Sequence, residues 1–270
     1  MEPSVLNSPW LRPSIFIIFF AIFCLLEVIT PRRRLTSSKK KRWMSNLSLS
    51  LFNSLILKYF MPFTLVIFAL KAQSLNIGLF NIIDVPHILE IGLSLVIFDF
   101  FIYLQHIASH KFSFLWKLHR VHHADIDLDV SSGNRFHTLE IVLSFFYKSA
   151  LIFIIGPSAA SIILFEIILN TMAMFNHSNI NIPMKIDKSL RFFVVTPDMH
   201  RVHHSIERSE YNTNFGFNLS IWDFLFKTYK SAPILGQQGM EIGLKYFREE
   251  KYISPLVLLK MPFLKGHDDS

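Results

Sequence analysis

The sequence predicts an all-α membrane protein with about four to five transmembrane or hairpin helices and a cytoplasmic, histidine-rich helical cap. Three observations carry this. The chain is 51% hydrophobic with 28 Phe, and only 17% of its residues are charged; soluble domains usually carry about 25%. Of five apolar runs, the first three come close to the roughly 20 residues needed to cross a bilayer. Most of the twelve histidines lie at or just beyond the ends of those runs.

The first run, PSIFIIFFAIFCLLEVIT at 13 to 30, is followed by PRRRLTSSKKKRW. A secretory signal has its positive residues before the apolar core and a small-residue cleavage site after it, so this segment reads as a retained helix. The basic cluster places its C-terminal end in the cytoplasm. A second run, roughly 47 to 70, leads back out, and a third, about 86 to 105, returns. The fourth and fifth, 139 to 155 and 158 to 176, are joined by Gly156 and Pro157, a helix-breaking turn. They are expected to form a hairpin dipping in from the cytoplasmic face without crossing fully. The segments 106 to 137 and 177 to 204 then face one compartment. The basic, amphipathic final stretch, from about 219 onward, is expected on the membrane surface. Three regions result: membrane helices and a basic loop at 1–85, a histidine-rich domain with the hairpin at 86–230, and a tail at 231–270.

The net charge of +7 comes from short blocks beside apolar runs, so it points to topology and not to nucleic acid. Cys24 is the single cysteine, which excludes a thiolate metal site or a disulfide framework within the chain. The histidines are different. His106 and His110 are spaced i, i+4. The pentapeptide HRVHH occurs twice, giving His119, His122, His123 and His200, His203, His204. Each copy is expected to present three imidazoles toward one side of a helix. His137 in NRFHTLE and His177 in FNHSN stand nearby, whereas His87 and His267 read as ordinary surface or structural residues. Imidazole suits zinc, copper, iron and nickel. About eight to ten such nitrogens exceed one ion's needs and suit two ions with open positions. Facing apolar helices, such a pair suits oxygen activation on a lipid-like chain, for which iron has the redox chemistry and zinc does not.

Other polar groups sit at suggestive offsets. Asp99, Tyr103, His106 and His110 share one helical face, so Asp99 is a candidate to orient a ligand imidazole. Asp127, Asp129, Arg135 and Glu140 near the first box, and Asp198, Asn214, Asn218 and Asp223 near the second, are comparable candidates. Asp99, Asp127, Asn214 and Asp223 are retained as the supporting set. Lys148 and Glu166 fall inside the hairpin, where a mutual pair or a snorkelling lysine is the bland reading and a functional role the sharper one. Arg120 and Arg201, within the two boxes, are expected to be exposed toward the membrane surface or an acidic electron donor.

From Asp99 to Tyr229 the chain resembles the fatty acid hydroxylase superfamily, also called the sterol desaturase family. The resemblance is carried by DFFIYLQHIASH, LWKLHRVHHADIDLDV, RFHTLE, FNHSNI, VTPDMHRVHHS and NFGFNLSIWDFLFKTY. It implies a membrane-embedded, iron-dependent oxidoreductase with two iron ions, using O2 and two external electrons to hydroxylate or desaturate a lipid C–H position. By position, His106, His110, His119, His122, His123, His177, His200, His203 and His204 would be ligands, with His137 a further candidate. It also implies an external electron donor, cytochrome b5-like, ferredoxin or similar, because no cytochrome b5-like domain is evident in the chain. Lys227 departs from the family, standing where a glycine is common before TY. Two other classes compete. A metal-binding or transport protein would line a continuous path with ionisable residues, and only Asp99, Lys148 and Glu166 qualify. A zinc hydrolase would need a carboxylate inside a box, as in HExxH, and neither box has one.

Overall fold

The computed structural model describes residues 10–61 and 63–266. Among these the chain is helical, with only isolated bridges in place of strands. In order the helices are α1 (Leu11–Ile29), α2 (Lys39–Phe60), α3 (Leu65–Ser74), α4 (Leu79–Ile82), α5 (His87–Lys111), α6 (Ser113–His123), α7 (Thr138–Ile155) and α8 (Ala159–His177). Shorter ones follow: α9 (Met184–Leu190), α10 (Pro197–His203), α11 (Arg208–Tyr211), α12 (Ile221–Leu225), α13 (Gly236–Gly239) and α14 (Pro255–Lys260). His267 lies outside the described residues. Five segments are long and apolar enough to cross a membrane: α1, the broken run α2 to α4, α5, α7 and α8.

Local chemistry sets the ends of these segments. Ser38, Thr64 and Ser158 cap α2, α3 and α8 by accepting from Lys41, Ile67 and Ser161 backbone N–H groups, each worth about 1 kcal/mol. Gly156 ends α7 in the left-handed conformation, φ 70°, as the GP signal predicts. The turn lies against Gly78, where a Cβ would come within 2.4 Å of the Gly156 nitrogen. Beside it, buried Glu90 of α5 accepts from the Ser158 amide at 2.9 Å and the Ser161 hydroxyl at 2.8 Å. The hairpin tip therefore lies level with the first turn of α5. Both hairpin helices are long and apolar enough to cross a membrane, where the sequence suggested a partial dip.

The helices pack through Leu65, Ala69, Phe98, Ile102, Phe145, Ile152, Ile162 and Phe165, while Ile17, Leu25, Val28 and Ile154 stay outward and exposed. That distribution suits lipid contact, because bilayer-facing residues need no protein partner. α1 runs beside α8, with Phe23 against Phe175. Its buried Glu27 accepts from the Val130 and Asn179 amides at 2.7 and 2.9 Å. One carboxylate thus ties α1 to both histidine-bearing segments.

All five segments present the cap at the same end. Its floor is α6 and α10, and the tail closes it from outside: Leu244, Phe247, Leu258 and Met261 pack with Leu49, Trp116 and Val121. The segment expected on the membrane surface is in this part interior packing for the first histidine box.

Candidate metal centre

Two short devices bring the histidines together. α5 ends at Phe112, whose extended backbone (φ −97°, ψ 120°) also starts α6, so the chain folds back and α6 lies over the last turn of α5. On the other side Thr196 caps α10 by accepting from the Met199 amide, with Pro197 at its first position. His177 is the last residue of α8.

The nine histidines fall into two sets, in each of which one ring nitrogen per residue lies within 4.8 Å of all the others. One set is His106, His110, His119, His123 and His203; the other is His122, His177, His200 and His204. Each HxxHH is therefore divided. The i, i+4 members, His119 with His123 and His200 with His204, stay together, and the remaining member, His122 or His203, joins the opposite set. Helix geometry explains the split, because positions four apart superpose on one face and the third is turned off it.

Hydrogen bonds fix the imidazole orientations. The Nδ1 atoms of His106, His122, His177 and His203 lie 2.8, 3.1, 2.7 and 2.8 Å from the carbonyls of Phe215, Arg135, Ala173 and Thr213. A carbonyl only accepts, so each Nδ1 carries the proton and each Nε2 keeps a lone pair. His119 Nδ1 instead meets Glu140 Oε1 at 2.7 Å. The lone pairs then face one another: His122 Nε2 is 2.9 Å from His177 Nε2, which is 3.1 Å from His200 Nε2. In the other set the Nε2 atoms of His106, His119 and His203, and both ring nitrogens of His110 and His123, are buried without partners. Burial, reinforced by neighbouring imidazoles, holds His122, His123, His200 and His204 well below the ordinary imidazole value, and His203 down to about 3. Neutral, buried, inward-facing lone pairs repel one another unless cations sit among them, so the donor set fits two metal ions.

His137 stands apart. It caps α7, accepting from the Leu139 amide at Nδ1, and its Nε2 lies 3.1 Å from the Leu259 carbonyl. The carboxylates and amide expected to support the imidazoles act one step further out. Asp99 accepts from the Asn218 and Leu219 amides and the Trp222 indole. Asp223 accepts from the Phe215 and Gly216 amides and Thr228. Together they hold the loop whose Phe215 carbonyl orients His106. Asn214 bridges Met199 and Lys230, and Asp127 holds Thr36 and Ser37. Of the sequence candidates, only Glu140 touches an imidazole with its side chain, and Arg135 does so through its backbone carbonyl. The carbonyl partners carry no side-chain signature, so sequence could not show them.

Arg120 and Arg201 correct the expectation of exposed, donor-facing cations. Both are buried, at 0% and 1% exposure. The Arg120 guanidinium donates to the Met261 carbonyl at 2.7 Å, and Arg201 binds Asp198 and the Ser178 carbonyl. Each box helix is covered on both faces, so the residue turned away from the imidazoles meets the tail or a neighbouring loop instead of solvent. The bland pairing of Lys148 with Glu166 is replaced as well: Glu166 pairs with Arg12.

A cavity of about 350 Å3 opens from His106, His119, His122 and His200 and runs between α2, α5, α7 and α8 past Ile102, Ile141 and Leu169 to Lys148 and Glu166. Phe136 stacks on His122 at 4.4 Å at its mouth. A second groove, lined by Leu104, Leu115, Leu143 and Tyr147, shares Gln105, Ser109 and Glu140 with it and lies between α5, α6 and α7.

The fold and site define a class: helical membrane proteins that gather buried histidines into two adjoining nitrogen-donor clusters at the mouth of a cavity between membrane helices. The chain belongs to the fatty acid hydroxylase family, whose model matches residues 91–228. It is 29% identical to an ornithine lipid hydroxylase of Rhizobium tropici over 55% of this chain and 44% of that protein. It is 28% identical to human alkylglycerol monooxygenase over 49% of this chain and 29% of the relative. It is 23% identical to human cholesterol 25-hydroxylase over 52% and 51%. The matched segment thus spans about half or less of each relative. No solved structure matches the chain.

Proposed function

We propose that this protein is a membrane di-iron oxygenase that hydroxylates a lipid. The observation that carries the reading is the convergence of nine imidazoles, in sets of five and four, on the mouth of a cavity between apolar helices. His106, His110, His119, His123 and His203 would hold one iron, and His122, His177, His200 and His204 the other. When bound, the iron pair would activate O2 by reducing it, which supplies the oxidising power that an unactivated C–H bond requires. The overall change consumes R–H, O2, two electrons and two protons and gives R–OH and water. The electrons come from a separate donor, and the names of the relatives favour hydroxylation over desaturation.

The chain's own groups do the rest. Glu140 and the carbonyls of Phe215, Arg135, Ala173 and Thr213 fix five of the nine rings so that their lone pairs point inward. Ile102, Ile141 and Leu169 offer an apolar wall along which a methylene chain can lie, which places one carbon by the histidines and keeps water away. The groove past Leu104 and Leu143, both partly exposed, is the sideways entrance from the bilayer. The cap faces the cytoplasm in this reading, because exposed Arg34 and Lys40 flank it.

The test compares lipid extracts from cells expressing the wild-type chain or His122→Ala under labelled dioxygen. The reading expects a hydroxylated lipid carrying the label, lost in the variant. Equal products from both proteins would contradict it.

A further inference from the structure

The far end of the cavity is not apolar. Lys148, Glu166, Asn170 and Ser144 line it, in the middle of helices otherwise long and apolar enough to span a bilayer. Glu166 is engaged by Arg12 of α1. Lys148 has no hydrogen bond or ion pair among the described residues, and Glu166, which lines the same end of the cavity, is the carboxylate that Arg12 takes. Two cations therefore share one carboxylate inside the membrane. An unbalanced charge there is costly and marks a site where a ligand completes the balance.

We propose that Lys148 is the anchor for a carboxylate, so that the cavity takes a single-chain amphiphile with its carboxylate at Lys148 and its chain running toward the histidines. This rests on the reading that the cavity receives the lipid to be oxidised. A single ammonium beside one amide and opposite a carboxylate suits a monoanion better than a dianionic phosphate, which would draw an arginine fork. The volume, about 350 Å3, lies at the low end of the range for one small ligand, so it suits a single chain. Lys148 follows Glu140 by eight residues on α7, which places it about 12 Å along the helix from the carboxylate beside His119. The carboxylate thus sets which carbon lies by the histidines. Lys148 touches the polar end of the substrate and takes no part in the oxidation.

The test measures equilibrium binding of radiolabelled hexadecanoic acid, hexadecanol and hexadecyl phosphate to the full chain in nanodiscs. The acid is expected to bind about tenfold more tightly than the alcohol, close to 1.4 kcal/mol. Lys148→Met is expected to abolish that preference while leaving alcohol binding and metal content unchanged, and Lys148→Arg to retain it. Equal binding of acid and alcohol by the wild-type protein overturns the proposal without any variant, as does an unchanged preference in Lys148→Met or a preference for the phosphate. Because binding is read without turnover, a protein that prefers the acid yet oxidises no lipid would sink the oxygenase reading alone. One that oxidises lipids without the preference would sink the anchor alone.

Discussion

The division of each HRVHH between two sets is the residue-level fact from which the rest follows. Removing one imidazole should empty one set while the other stays filled. For His122→Ala the expected outcome is loss of about half the bound metal and at least a hundredfold fall in lipid oxidation, read by elemental analysis and product assay. His137→Ala should behave oppositely. Its nitrogens serve the α7 amide and the Leu259 carbonyl, so the change should leave metal content intact and cost about 1 kcal/mol of stability, seen as a small drop in melting temperature. The spacing of the boxes was legible because imidazoles are rare and positions three and four apart must share a region of the helix. Their assignment to sets was not, because it depends on how α6 and α10 cross. Nor were the roles of Arg120 and Arg201, since an arginine inside a helical box reads the same whether its back face meets solvent or, as here, the tail at Met261 and the loop at Ser178.

At the scale of elements, the upper half of α2 acts as a brace for the first box. Arg42 is fully buried and donates to Asp125 at 2.6 Å, to Asp129 at 2.7 Å and to the Asp127 carbonyl at 2.7 Å. Asn46 donates to Ser131 and accepts from Arg135, whose own carbonyl orients His122. Arg42→Ala would leave two buried carboxylates without their partner, so a loss of roughly 3–5 kcal/mol is expected, with metal loss at lower denaturant in a chelator titration. The run from 47 to 70 was legible as apolar, but α2's extension into the cap was not, because Lys39 to Arg42 read as part of a basic loop. Lys227 carries a smaller lesson. Its backbone is left-handed, φ 59°, which accounts for a glycine being common there. Lys227→Gly should raise stability by about 1 kcal/mol in thermal melts without touching activity.

Across the whole molecule, the sequence made the helical membrane class and the common end of the histidines legible, because apolar run length and the GP turn at Gly156 are local signals. The burial of the tail against α6 was not, since Leu258 and Met261 acquire their neighbours only through a long-range fold. Such a cap should respond to acid in two stages. Burial keeps His122, His123, His200, His203 and His204 neutral in the folded protein, whereas the unfolded chain protonates near pH 6.5. Below that pH the unfolded state binds more protons, so metal-stripped protein should lose stability as pH falls. Asp125 adds a second loss below about pH 4: burial raises it, but Arg42 and Arg135 outweigh that and hold it well below the usual carboxylate range. Melting temperature should be level from pH 8 to about pH 7, fall as the pH drops below about 6.5 and fall again below about pH 4, and a flat profile from pH 7 to about pH 3 would contradict this. The most direct test of two metal positions is metal content by mass spectrometry on full-length protein purified in mild detergent, with iron reconstitution if zinc has entered. Two irons per chain, falling to about one in His122→Ala, is the expected result; one iron or none in well-folded protein would contradict the di-iron centre.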